Sequence, residues 1–171
     1  MADTTFSTES GQTIAREKLI AYLNTGTNSA PVWSAIGKRV EESSAEYDWN
    51  RESSQDILGN AYSTMKKPVI TQTFDPLPLE AGDAALEKLW NLAIKDQDAQ
   101  SLAAQDMLIV HLYAGATAFA ERYSACAIQI SSLGGAGGGS IEMPIEVTYG
   151  GTRTVGTATA SDGTVTFTPG V

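Results

Sequence analysis

Apolar residues recur along this chain in two rhythms, and the switches between them mark out its elements. Residues 18–24 (KLIAYLN) are apolar almost throughout and run into the turn-rich TGTNSAP, which predicts a buried strand ending at a loop. Residues 45–50 alternate instead, with Tyr47 and Trp49 on one face and Glu46, Asp48 and Asn50 on the other. Beyond Asp83, a good capping residue, Leu86, Leu89, Trp90 and Ala93 fall at helical spacing. That stripe, Trp90 included, predicts a helix over 83–95 packed on a sheet. Residues 106–113 (DMLIVHLY) and 121–132 (ERYSACAIQISS) read as antiparallel neighbours joined by AGATAFA. From 141 to 149 the alternation returns: Ile141, Met143, Ile145 and Val147 point one way, Glu142, Glu146 and Thr148 the other. Residues 150–171 close the chain as a Thr-rich hairpin around SDG.

One stretch fits neither rhythm. Residues 47–79 pass through the polar turn RESSQDILG and return through a lysine pair and three prolines, too broken for a long helix, so they read as a protruding arm or hairpin. Trp49, Ile57, Leu58, Tyr62, Met65, Val69, Ile70 and Phe74 nonetheless recur along it. A solvated loop of a monomer has no use for so many apolar side chains. They need cover, either on their own domain or on another copy of the chain. Residues 1–15 are polar and small, with Phe6 and Ile14 as their only anchors, and read as an extended N-terminal arm.

With 171 residues, one domain over 1–171 is the default. The elements make it mainly β: an antiparallel sandwich or barrel flanked by one α-helix, with a long protruding loop or hairpin. Neither a basic start nor a long apolar run is present, so the expectation is a protein made in the cytoplasm without membrane insertion. Twenty carboxylates against eleven cations leave a net charge of −9, which argues against gripping nucleic acid through its phosphates but not against letting it slide past.

Catalytic material is sparse. GGAGGGS at 134–140 lacks the GK[ST] ending of a phosphate loop and opens no helix. The sole histidine, His111, lies inside LIVHLY, where it reads as a packed or pore-facing side chain with no serine elbow or cysteine motif to serve. Cys126, the sole cysteine, sits among apolar neighbours and reads as buried. Acidic pairs such as Asp96 and Asp98 have no calcium-loop spacing. The expectation is no enzyme, no metal and no cofactor; a β-sandwich binding module of the adhesin kind is the alternative.

The run DW…ESSQDILGNAY at 48–62 followed by KKP and TFDPLPL, the helix after the GD at 82–83, and the closing IEMPIEVTYGGTRTVGT at 141–157 together resemble the tail tube proteins of long-tailed bacteriophages, of the siphophage major tail tube type, and related tube-forming particles. The resemblance implies a β-sandwich subunit with a flanking helix that forms rings, usually hexameric, stacked into a hollow tube through which DNA is delivered. It implies a virion protein, assembled in the host cytoplasm, whose partners are further copies of itself, a tape-measure protein and other tail proteins. The long loop of that family corresponds to 47–79 here. Trp49, Arg51, Glu52, Asp56, Ile57, Leu58, Tyr62, Lys66 and Lys67 are therefore its candidate contacts between subunits or rings. Glu142, Glu146 and Thr148 are the candidates to face the channel, because a polyanion passes a negative wall more freely than a basic one that would hold it.

Overall fold

The computed structural model describes residues 3–171; residues 1 and 2 of the expected N-terminal arm lie outside them. The first half supplies strands β1 (Leu19–Asn24), β2 (Trp33–Ile36), β3 (Ala45–Asp48), β4 (Glu52–Gln55), β5 (Ala61–Thr64) and β6 (Val69–Phe74). Helix α1 (Ala84–Trp90) runs into a π-helical turn (Asn91–Lys95), and α2 (Ala99–Leu102) is a single turn. Then come β7 (Gln105–His111), β8 (Phe119–Ile130), β9 (Ile145–Tyr149), β10 (Arg153–Ser161) and β11 (Thr164–Pro169). As the alternation patterns require, the fold is mainly β, with antiparallel pairing throughout and one substantial helix.

Strand β8 belongs to two sheets. On one edge it pairs with β7, and through it with β1 and β2. On the other edge residues 119–123 pair with β10, whereas residues 127–130 pair with β9. A long sheet thus runs β2-β1-β7-β8-β10-β11, and a short one runs β8-β9-β6-β3. The join between β9 and β10 is Gly150–Thr152, where Ser124 N–H donates to the Thr152 carbonyl at 3.2 Å and Ala125 N–H to that of Gly150 at 3.1 Å. A β-carbon on Gly151 would lie 2.6 Å from both Ala125 N and Ser124 Oγ, and its φ of +76° suits only glycine. This bulge bends one continuous partner strand out of the first sheet and into the second.

Between the sheets lies the main core: Leu23, Met107, Ile109 and Cys126 from the long sheet, and Ile70, Phe74, Ile145 and Val147 from the short one. Strand β7 is buried on both faces, because Leu108 and Val110 enter a second cluster with Trp33, Ala120 and Ala158, against which Val165 and Phe167 of the curling β10–β11 hairpin pack. That hairpin turns at Asp162 and Gly163, both with positive φ as a two-residue turn between twisted strands demands.

Several expectations need correction. Ile70 and Phe74 are not arm residues awaiting a partner; they are buried in the core by β6, and the part that stands clear is β4–β5 with its flanks. Strand β2, only four residues long, carries little alternation, and no period in the sequence predicts it. The last strand of the short sheet begins at Ile145, so Ile141 is exposed and not among the inward aliphatics. In α1, Asp83 caps as expected, accepting from Ala85 N at 3.1 Å and Leu86 N at 3.2 Å, but the buried arc is Ala85, Leu86 and Leu89, with Trp90 37% exposed. With about 100° between successive residues, Ala85 completes one side of that arc and Trp90 is turned to its rim.

Leu89→Ala should therefore destabilise the fold by about 2–5 kcal/mol, whereas Trp90→Ala should cost about 1 kcal/mol or less. Chemical denaturation of both variants checks this, and a Trp90→Ala loss as large as that of Leu89→Ala would place the indole in the core.

Candidate functional site

The outward face of the short sheet follows from its register. Glu146 of β9 stands opposite Thr73 of β6 and Gln129 of β8, and Thr148 stands opposite Thr71 and Ala127. Glu46 of β3 continues the Thr71 row and Asp48 lies beside Val69. Neither the three strands β3, β6 and β9 nor residues 124–130 of β8 contain a lysine or arginine. A groove of about 310 Å³ on this face is lined by four carboxylates and four hydroxyls, those of Glu42, Glu46, Asp75 and Glu146 and of Ser43, Ser44, Thr71 and Thr73. Of the channel candidates, Glu146 and Thr148 share this face. Glu142 does not sit in the strand: it is half-buried, with its backbone bridged to Gly134 and Pro78.

The short sheet has two sides with no further strand, and the one on β8 is flanked by α2 and the π-helical turn. Strand β3 pairs only with β6, and residues 127–130 of β8 pair only with β9, since the β7 pairing stops at Cys126. Each side therefore offers backbone groups with no strand partner among the described residues.

From the β3 end the chain leaves as the β4–β5 hairpin, a separate two-stranded sheet whose residues are all exposed. Tyr47 and Trp49 stack at its root with ring centroids 6.3 Å apart. Glu52 and Lys66 pair at 3.8 Å along it, a solvated contact of small energetic consequence. At the tip the Asp56 carboxylate accepts from Leu58 N at 2.8 Å, Asn60 N at 2.9 Å, Asn60 Nδ2 at 3.0 Å and Tyr62 OH at 2.9 Å. The side-chain and backbone donors of Asn60 lead in lowering its pKa to about 2. Held this way, Ile57 and Leu58 are 102% and 82% exposed. Asp56 and Tyr62, contact candidates by the resemblance, thus also spend their polar groups on the turn itself. Trp49, Arg51, Glu52, Lys66 and Lys67 line the exposed shaft and root.

Two polar clusters join residues that no sequence motif links. At the hairpin end of the sandwich, His111 Nε2 lies 2.9 Å from Glu121 Oε2, and Arg153 Nε donates to Glu121 Oε1 at 2.7 Å. His111 Nδ1 meets the Tyr113 hydroxyl at 2.9 Å, and Tyr113 in turn holds the N-terminal segment through an edge-on contact with Phe6 and a 2.8 Å bond from Ser7 N–H. His111 is thereby a structural clasp. In the second cluster the buried Asp106 accepts from Arg122 Nη2 at 2.6 Å and from Asn24 Nδ2 at 3.0 Å, while Lys88 of α1 donates to the Asn24 carbonyl at 2.6 Å. The visible signal was charge inside apolar runs, Asp106 in DMLIVHLY and Glu121–Arg122 at the head of the next strand. Burial pushes the Cys126 thiol up to about 12, so it is an inert core residue.

Burial raises the Glu121 pKa, but hydrogen bonds and charge from His111 and Arg153 outweigh it and leave the carboxyl below its ordinary 4.5. A depressed carboxyl stabilises the fold above the unfolded pKa and loses that contribution as pH falls through the folded one. Denaturant titrations should show stability falling below pH 4.5. Glu121→Gln should lower stability at neutral pH by about 2 kcal/mol and flatten the acid slope; an unchanged slope would assign the acid loss to other carboxylates.

No family model matches the chain, and no curated protein matches it in sequence. Solved structures do share its fold. The sheath–tube complex of the extracellular contractile injection system PVC, in its extended state, aligns with a TM-score of 0.50 at 13% identity, covering 86% of this chain and 94% of that one. The sheath/tube terminator of the same system gives 0.53 at 12%, covering 86% and 99%. The tube-terminating cap of the anti-feeding prophage gives 0.50 at 16%, covering 89% and 96%. At these identities the common property is the fold, and this chain spans nearly the whole of each neighbour.

Proposed function

We propose that this protein is a structural subunit of a tail-like particle, closing with further copies into a ring whose bore is walled by the short sheet. The observation that carries the proposal is the pairing of a cation-free sheet face with an unpaired strand on either side of it. An edge on β3 and an edge on the distal half of β8 differ from one another, so joining them is a heterologous contact, and such contacts close into rings or run on as filaments. The fold common to this chain and to proteins of sheath–tube and tube-cap assemblies supports the same role. So does the resemblance of its 48–62 and 141–157 runs to tail tube proteins.

In the narrower form of the proposal six copies make each ring, rings stack into the tube of a siphophage-type bacteriophage tail, and DNA passes through it, with a tape-measure protein and other tail proteins as partners. Glu46, Glu146 and the threonines between them repel or ignore phosphate, while the apolar reverse of the same strands holds the sandwich. At physiological salt the screening length is about 8 Å, so these charges act only on a strand confined close to the wall. The protein is an assembly component in this proposal, not an enzyme.

Size-exclusion chromatography with negative-stain microscopy tests it: rings or tubes are expected, and a chain that remains monomeric at high concentration overturns it. Thr73→Lys/Glu146→Lys should assemble as the wild type does but convert the bore into one that retains DNA, with retention falling steeply as salt rises. Tubes that bind no more DNA than the wild type would place this face outside the bore.

A further inference from the structure

The β4–β5 hairpin and helix α1 mark opposite poles of the molecule. The hairpin leaves the short sheet where Val69 and Tyr149 end their strands. Leu77–Leu79 continue beyond the far end, past Phe74 and Ile145, where Leu79 N–H bonds the Ile141 carbonyl at 2.8 Å. At that far pole Leu79, Ala81, Leu86 and Trp90 line an apolar groove of about 350 Å³, with Glu80 and Glu87 among its walls. Trp90, at the rim of the buried arc of α1, is 37% exposed there.

The two poles also differ in charge. Residues 49–68 carry three cations, Arg51, Lys66 and Lys67, against two carboxylates, whereas the remainder of the chain has eight cations against eighteen carboxylates. The hairpin is thus a net-positive projection from an acidic body, opposite in sign to the body that another copy would present.

Resting on the assembly role proposed above, we infer that the hairpin is a preformed plug whose Asp56-braced tip, Ile57–Leu58, seats in the Leu79–Leu86–Trp90 groove of a second copy. A plug and a socket at opposite ends of one chain make a heterologous contact when copies line up in the same direction, and such a contact repeats head to tail; only an antiparallel two-fold pair would use up both at once. Bracing matters because an apolar tip that is already in its bound shape loses little conformational entropy on docking. Asp56 is a positioning residue here: it touches the turn, not the socket.

The sole native cysteine is buried and its thiol strongly protonated, so introduced cysteines report cleanly. Mixing a Leu58→Cys chain with a Glu87→Cys chain under assembly conditions should give an intermolecular disulfide on mild oxidation. A Leu58→Cys chain mixed with a Thr166→Cys control should not. Leu58→Asp and Asp56→Ala should each raise the concentration needed for assembly by about tenfold or more, the size of loss expected at a central contact. Asp56→Asn, which keeps the acceptor for the Leu58 and Asn60 amides, should recover part of it. Rings or tubes that form without the Leu58–Glu87 cross-link overturn the plug but leave the ring proposal standing. Leu58→Asp blocking assembly while Asp56→Ala assembles normally retains the docking and overturns the bracing. A wild-type chain that never associates overturns both proposals.

Discussion

One strand holding two sheets together is the constraint on which the rest of this molecule depends. Because β8 pairs with β10 along its first part and with β9 along its last, the two sheets cannot slide or open independently, and the Gly150–Gly151 bulge is where the partner strand turns the corner. The long sheet is then free to curl until β11 approaches β2, burying β7 on both faces, while the short sheet keeps one face on the core and turns the other outward. Polar clasps finish what packing begins. Asp106 ties β1, β8 and the helix side chain Lys88 into one cluster, and Glu121 joins β7, β8 and β10 at the other end.

What was legible in the sequence followed from period. Strands β1, β7, β8 and β9 and the closing hairpin showed their alternation or apolar runs directly, and the Asp83 cap announced the helix. Period fails where environment decides. Trp90 sits at correct helical spacing yet at the rim of the buried arc, and no spacing rule distinguishes rim from centre. Ile141 continues the alternation of Ile145 and Val147, but Pro144 and the bridge from Glu142 to Gly134 take the backbone out of the ladder before it. Ile70 and Phe74 lie in a short buried strand that the proline-rich composition around it conceals.

The candidate surfaces were legible in kind and not in layout. A carboxylate excess is a property of composition, whereas its gathering on one sheet face that carries no cation required the register of β3, β6, β8 and β9. The hairpin tip shows the same limit. Asp56 in a polar turn is unremarkable in a sequence, but four donors converging on its carboxylate make the turn a defined object. Polar residues there serve shape, and the apolar pair between them is what the shape displays.

The open edge of β3 bears charges that act between free chains. A bare strand is an invitation to indiscriminate stacking, and this one is only four residues long, with Glu46 and Asp48 spaced along it. Two such edges brought together face to face place like charges in register and push one another away. Pairing through two copies of this edge is therefore disfavoured, whereas an edge of different character meets no such repulsion.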